Sequence, residues 1–200
     1  MTKSIFLFTA LFILIHGNLP AAEERKAEVK ILKEGVQLTL VAEHPDIVTP
    51  TGIDIDDQGN VWVVSSHTHM PQENYKGPKK DEILVFHKNG KRSVFYSKTE
   101  QTMDLELGPN GWVYLAERDR IFRIKDTTGD GKADKHEDVI NLKTTGVYPH
   151  NGLSGLCFDL QGNLVFGLGE NLGHSYTMVG RDGKTIKGAK GIGGGVFRST

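Results

Sequence analysis

The sequence predicts an all-β protein: a partial β-propeller, about three of six four-stranded blades, preceded by a signal peptide. Three observations carry this. Glycine is abundant, at 24 of 200 residues, while long amphipathic stretches are few, which favours short strands joined by tight turns. A pattern of strand, glycine turn and strand recurs three times. Its turn glycines, Gly59, Gly111 and Gly162, are 52 and 51 residues apart, close to the ~40 to 50 residues of a propeller blade.

From the amino terminus, residues 1–22 read as an export signal. Lys3 supplies the positive start, Ile5 to Ile15 the apolar run, and Pro20-Ala21-Ala22 a small-residue cleavage region before Glu23-Glu24. The apolar run is about half of the ~20 residues that cross a bilayer, so a secreted or periplasmic protein is expected. Residues 23–48 are expected to be a lead-in strand. The blades follow near 49–98, 99–148 and 149–200.

Each blade opens with a strand pair: Gly52–Ile55 with Val61–Val64, Met103–Leu107 with Trp112–Leu115, and Leu156–Phe158 with Leu164–Phe166. Third strands are expected at Glu82–Phe86, Arg120–Ile124 and Gly195–Arg198. A fourth, Arg92–Tyr96, follows a hairpin turn at Lys88-Asn89-Gly90. Propellers close with ~4 to 8 blades, so the chain is expected to be a fragment. A two-sheet sandwich is the alternative architecture. Cys157 lies within an apolar strand and is expected to be a small buried residue.

Charge narrows the partners. With 24 Lys and Arg against 25 Asp and Glu the net charge is -1, leaving no basic surplus for a phosphate backbone, and no nucleic-acid partner is expected.

Candidate site residues emerge from strand direction. Residues before the first strand of a blade and after its second lie at the same end. This gathers His67 and His69, Glu117 and Arg118, His150 and Asn151, and Glu170 and Asn171 around one mouth of the ring, where strand-end loops build sites. His150 is the candidate catalytic residue, because a neutral imidazole can take a proton from a reacting group. His150 bonded to a loop carbonyl is the competing structural reading. His67 and His69 are one residue apart, which points both rings to one side of an extended segment, as two metal ligands require; a solvated or site-lining loop is the alternative.

Asp126 to Glu137 has the spacing of a calcium loop. Asp126, Thr128, Asp130, Asp134 and Glu137 stand at positions one, three, five, nine and twelve, with Gly131 at the turn and the Lys132 carbonyl at position seven. The same residues would also serve as an Asp/Gly hairpin turn. The strand count puts this loop at the end opposite the histidines, so an ion there would be structural. Gly167 to Gly173 has its last glycine one place late for a dinucleotide loop and no helical pattern after it. Gly180 to Gly195, with seven glycines, is expected to be a mobile insertion between strands two and three.

Several strings together resemble a known group. Ser66-His67-Thr68-His69, Gly111-Trp112-Val113-Tyr114, Arg120-Ile121-Phe122-Arg123, the Asp/Gly loop, His150-Asn151-Gly152-Leu153-Ser154-Gly155 and Phe166 to Gly173 look like the amino-terminal propeller of the PVC-type haem-binding CxxCH proteins, also called membrane-bound dehydrogenases. The resemblance spans residues 30 to 200. That group is similar in turn to the glucose/sorbosone dehydrogenases, six-bladed propellers that hold pyrroloquinoline quinone and calcium and oxidise sugars or other alcohols.

The resemblance implies His150 as the base at the start of an inner strand, although the stretch from His150 to Phe158 is one residue longer than in those enzymes. It implies quinone-binding cations on later blades, haem in a domain outside this chain, and a cytochrome-type electron acceptor. The leading expectation is therefore part of an exported quinoprotein-like dehydrogenase acting on a sugar or alcohol. A calcium-dependent lactonase or related hydrolase is the alternative, and a propeller that binds glycan or protein without catalysis is the third.

Overall fold

The computed structural model describes residues 30–191 and 193–199, so the expected signal peptide lies outside the described residues. The chain divides after Thr39. Of the first unit, residues 30–39 contain one turn, closed by the Val36 N–H on the Lys33 carbonyl. Of the expected lead-in strand, residues 23–29 lie outside the described residues, and residues 30–49 hold turns and irregular backbone only. A strand needs a neighbouring edge to satisfy its N–H and C=O groups, and no described strand pairs with this stretch.

The second unit is all-β. Its strands are β1 (Pro50–Ile55), β2 (Val61–Ser65), β3 (Asp81–Phe86), β4 (Arg92–Thr99), β5 (Thr102–Leu107), β6 (Val113–Glu117), β7 (Arg120–Lys125), β8 (Lys135–Thr144), β9 (Leu153–Phe158), β10 (Leu164–Leu168), β11 (Tyr176–Gly180), β12 (Thr185–Gly188) and β13 (Gly195–Ser199). They form three antiparallel sheets: β1-β2-β3-β4, then β5-β6-β7-β8 continued by β11-β12, and β9-β10-β13. The predicted strand pairs and third strands are all present.

The repeat is written in turn chemistry. Between β1 and β2, Asp56 Oδ1 accepts the N–H groups of Gln58 and Asn60 at 3.0 and 2.8 Å, and Gly59 takes φ 82°. Between β9 and β10, Asp159 Oδ1 accepts those of Gln161 and Asn163 at 3.0 and 2.9 Å, and Gly162 takes φ 80°. A short carboxylate bonding its own backbone two and four residues on fixes the turn locally, wherever the sheet sits.

The core lies in two layers on either side of the second sheet. Val64, Ile83, Val85 and Phe95 of the first sheet pack with Leu105, Leu115, Phe122 and Ile124. On the other face, Ala116, Ile121, Ile140 and Leu142 pack with Leu153, Leu156, Leu164 and Phe166. All five residues of β6 are therefore buried, which explains the apolar run Val113 to Ala116 before Glu117. Each fully buried Leu, Ile or Phe contributes about 1.5 to 3 kcal/mol.

The inner strands β1, β5 and β9 are clasped by carboxylates. Asp54 Oδ2 accepts the Leu107 N–H at 2.8 Å, and one repeat later Asp104 Oδ2 accepts the Leu156 N–H at 2.7 Å. A Cβ on Gly52 would stand 2.6 Å from the Leu105 nitrogen, so glycine is required for β1 to approach β5.

Two further expectations change. The stretch from Gly180 to Gly195 is not simply an insertion: β11 and β12 form a hairpin, and β11 pairs with β8 of the preceding sheet from Tyr176↔Thr144 to Gly180↔Ile140. The exposed edge of β8 offers unpaired backbone groups, and the hairpin satisfies them. Cys157 is exposed, not buried. Alternation along β9 sends Leu156 into the core and Cys157 to the uncovered side.

Candidate functional site

The residues expected at one mouth do lie at one end of the three sheets. His67 and His69 follow β2, Glu117 ends β6, His150 and Asn151 precede β9, and Glu170 and Asn171 follow β10. Within that end, side-chain chemistry sorts them into separate groups.

His69 and His150 meet. Their Nε2 atoms are 3.0 Å apart and their rings are 4.3 Å apart at 78°. His150 sits in a single 3-10 turn, Pro149–Asn151, with Pro149 at the first position, where its missing N–H costs nothing. The turn is anchored by the Gly152 N–H on the Pro149 carbonyl and the Leu153 N–H on the Arg118 carbonyl. A Cβ on Gly152 would lie 2.1 Å from the Arg118 oxygen, so only glycine lets this turn reach the end of β6. His150 is exposed, whereas His69 is partly buried and its Nδ1 is buried without a hydrogen-bond partner among the described residues. Burial, then the neighbouring His150 charge, push the His69 imidazole below its ordinary range, with Asp81 opposing.

His67 does not form a chelate with His69. Its Nδ1 is bonded to the Tyr75 hydroxyl, and its Nε2 lies 3.3 Å from Ser65 Oγ and 3.5 Å from Glu82. The backbone between the two histidines is pinned by Asp81, whose Oδ1 accepts the His67 N–H at 2.7 Å and the Thr68 N–H at 2.8 Å. Among the described residues no group of three or more His, Cys, Asp or Glu side chains is arranged to hold a metal ion.

Glu117 and Arg118 are engaged elsewhere and do not line a pocket with His150. Glu117 is buried, accepting from Thr99 Oγ1 at 2.7 Å, the Glu100 N–H at 3.0 Å and Arg120 Nε at 2.6 Å. The Arg118 guanidinium donates to the Gly146 carbonyl and to Asp119. Asn151 Nδ2 donates to Glu170 Oε1 at 2.9 Å, joining the turn before β9 to the loop after β10. Asn171 is buried, donating to Thr144 Oγ1 and the His174 carbonyl, and so holds its loop closed.

The Asp126 to Glu137 loop lies at the opposite end, as expected, and closes on its own backbone. Asp126 accepts the N–H groups of Thr128, Gly129 and Gly131. Asp130 accepts that of Lys132, and Asp134 is bonded to Thr127. Glu137, needed at position twelve, lies in β8 with Arg123 at 2.6 Å, Arg181 at 2.8 Å and Lys135 at 3.1 Å. These contacts, Arg123 foremost, draw its carboxyl down to about 2. The residues do not fit a calcium cage as folded, because their oxygens are already occupied and Glu137 is neutralised.

Arg118, the cation expected beside His150, is turned to Gly146 and Asp119; the cations that the resemblance implies for an acidic quinone belong to later blades. A cavity of about 730 Å³ opens between the second and third sheets, lined by Tyr114, Ile140, Phe166, Met178 and Arg198 among others, and shares no residue with the histidine pair.

Sequence reasoning missed Tyr148, whose ring lies 5.1 Å from that of His150, and Asp81. An exposed aromatic two residues before the candidate histidine was a readable signal for the first. Asp81 follows Lys79-Lys80, a setting that carries no signal of burial.

A family model described as "Domain of unknown function (DUF7133)" matches residues 22–199. No curated protein matches the chain. Among solved structures, selenomethionine-substituted virginiamycin B lyase from Staphylococcus aureus matches 71% of this chain and 42% of its own, at 20% identity and a TM-score of 0.42. A streptogramin B lyase matches 70% of this chain and 40% of its own, at 17% identity and 0.43. A protein assigned as a gluconolactonase matches 70% and 47%, at 15% identity and 0.46. The chain spans less than half the length of each of these three.

Proposed function

The chain belongs to the DUF7133 family, and we propose that it is part of an exported β-propeller enzyme whose His69–His150 pair does proton chemistry on a lactone or other ester. The observation that carries this is the pair itself: two imidazoles 81 positions apart, from different sheets, meeting at 3.0 Å at the end where strand-end loops converge. The three repeated sheets support the propeller reading, with about three of six blades in this chain. The charged start, apolar run and Ala21-Ala22 of residues 1–22 support export to the periplasm or outside.

Hydrolysis is preferred to alcohol oxidation because ester cleavage needs donors and acceptors of the kind the pair supplies. The dehydrogenase is the second reading, favoured by the position of His150 directly before inner strand β9. In that reading a sugar or alcohol is the substrate and a cytochrome-type protein takes the electrons.

The test uses the full-length protein that carries this chain. Lactones and esters are offered without added quinone; sugars and alcohols are offered separately with quinone, calcium and a redox dye. The expected result is quinone-independent ester or lactone cleavage that falls by roughly 10² to 10⁴ in His150→Ala. Dye reduction without ester cleavage would replace this reading with the dehydrogenase. Ligand binding without turnover in either assay would leave a glycan- or protein-binding propeller.

A further inference from the structure

We infer that His69 is a positioning residue that fixes the tautomer of His150, so that His150 meets its substrate as a neutral N–H donor to a carbonyl oxygen and not as a base. This rests on the ester or lactone reading above. Two ring nitrogens 3.0 Å apart can bond only if one carries the proton and the other accepts it. The environment of His69 decides which. Its Nδ1 is buried with no partner among the described residues, so a proton there would be a buried N–H with none of them to bond, the arrangement folded proteins most avoid. Nδ1 is therefore bare and the neutral ring carries its proton on Nε2. Burial, which disfavours the charged imidazole, keeps it so.

The consequence passes to the second ring. His69 Nε2–H donates to His150 Nε2, and a neutral His150 that accepts at Nε2 must hold its own proton at Nδ1. His150 is exposed, and its Nδ1 makes no bond among the described residues, so this N–H is free for a ligand. A neutral imidazole N–H held in one orientation is a donor suited to the oxygen of a carbonyl, where negative charge gathers as a nucleophile adds. The ligand class this selects is one with a carbonyl oxygen; an alcohol, which must lose its proton, is poorly served.

The same reasoning sets aside a metal ion between the rings. Coordination through His69 Nε2 would force the proton onto the buried Nδ1, whereas ligating histidines nearly always donate that N–H to an acceptor. The flank is aromatic, with Tyr148 5.1 Å from His150 and its hydroxyl 3.9 Å from Met70 Sδ.

Tautomers can be read directly in the resting full-length protein by long-range proton–nitrogen correlation after labelling its histidines with nitrogen-15. His150→Ala identifies which signals belong to His150. The expected pattern is a bare Nδ1 with Nε2–H for His69, and Nδ1–H for His150. His69→Phe, which keeps a ring and removes the donor, is expected to release His150 to a mixture of tautomers and to lower kcat roughly 10- to 100-fold. His69→Gln, which retains an N–H, is expected to restore both. Nε2–H on His150 in the unaltered protein, or a tautomer indifferent to His69→Phe, would overturn the inference. Because the spectrum needs no turnover, the expected tautomers in a protein that cleaves no ester would uphold the pairing and sink only the ester reading.

Discussion

Replacing Asp81 with Asn probes how the first sheet is locked to the second. Asp81 is fully buried, and its two oxygens accept four donors: Oδ1 from the His67 N–H, the Thr68 N–H and Thr68 Oγ1 at 2.7, 2.8 and 2.9 Å, and Oδ2 from the Thr102 N–H at 2.9 Å. One side chain thus joins the loop after β2 to the start of β5. An amide keeps the shape but turns one oxygen into a donor. With the oxygen left on the His67 side, the new NH₂ faces the Thr102 N–H, removing one charge-assisted bond worth about 1.5 to 3 kcal/mol and stranding a buried donor at about 1 to 3 kcal/mol. The three remaining bonds weaken when the acceptor becomes neutral, and relief of the buried charge offsets part of the loss. The net expectation is about 3 kcal/mol of destabilisation. Urea unfolding of the full-length protein, followed by fluorescence, measures it as a fall in midpoint at constant slope. A change below about 1 kcal/mol would refute the reasoning, since a fully satisfied buried carboxylate cannot be exchanged so cheaply.

Two further outcomes follow from charge. Glu106 is pushed up to about 7 by burial first, then by the charges of Asp54 and Asp104, so the folded state holds this proton more tightly than the unfolded chain. Its contribution to stability is fully present below about pH 4.5 and is lost as pH rises through about 7; Glu106→Gln should flatten that fall, and unchanged pH dependence of the urea midpoint would contradict it. For the Asp126 loop, chelator and millimolar calcium should leave the melting temperature unchanged, because the Asp126 oxygens already accept the Thr128, Gly129 and Gly131 N–H groups and Glu137 is paired with Arg123, Arg181 and Lys135. A rise of several degrees with calcium, or stoichiometric binding by calorimetry, would restore the metal reading.

The sequence by itself determined what is local. The turns that carry Gly59 and Gly162 are complete within five residues each, so the spacing of the turn glycines announces them and, with them, the repeat and its strands. Strand direction then assigned His67, His69, His150 and Glu170 to one end, since alternating antiparallel strands leave no choice. Tertiary structure decided which of those residues touch. His69 pairs with His150 across 81 positions, while His67, two residues away, turns to Tyr75. The hairpin of β11 and β12 leaves its own sheet for the edge of β8 because that edge offers a ladder of unpaired donors and acceptors. Asp81 becomes a buried latch and Cys157 an exposed thiol because packing covers the one and leaves the face of the other open. Burial is a property of the neighbours that packing supplies, and contacts between sheets depend on the paths of intervening loops, which no short-range spacing encodes.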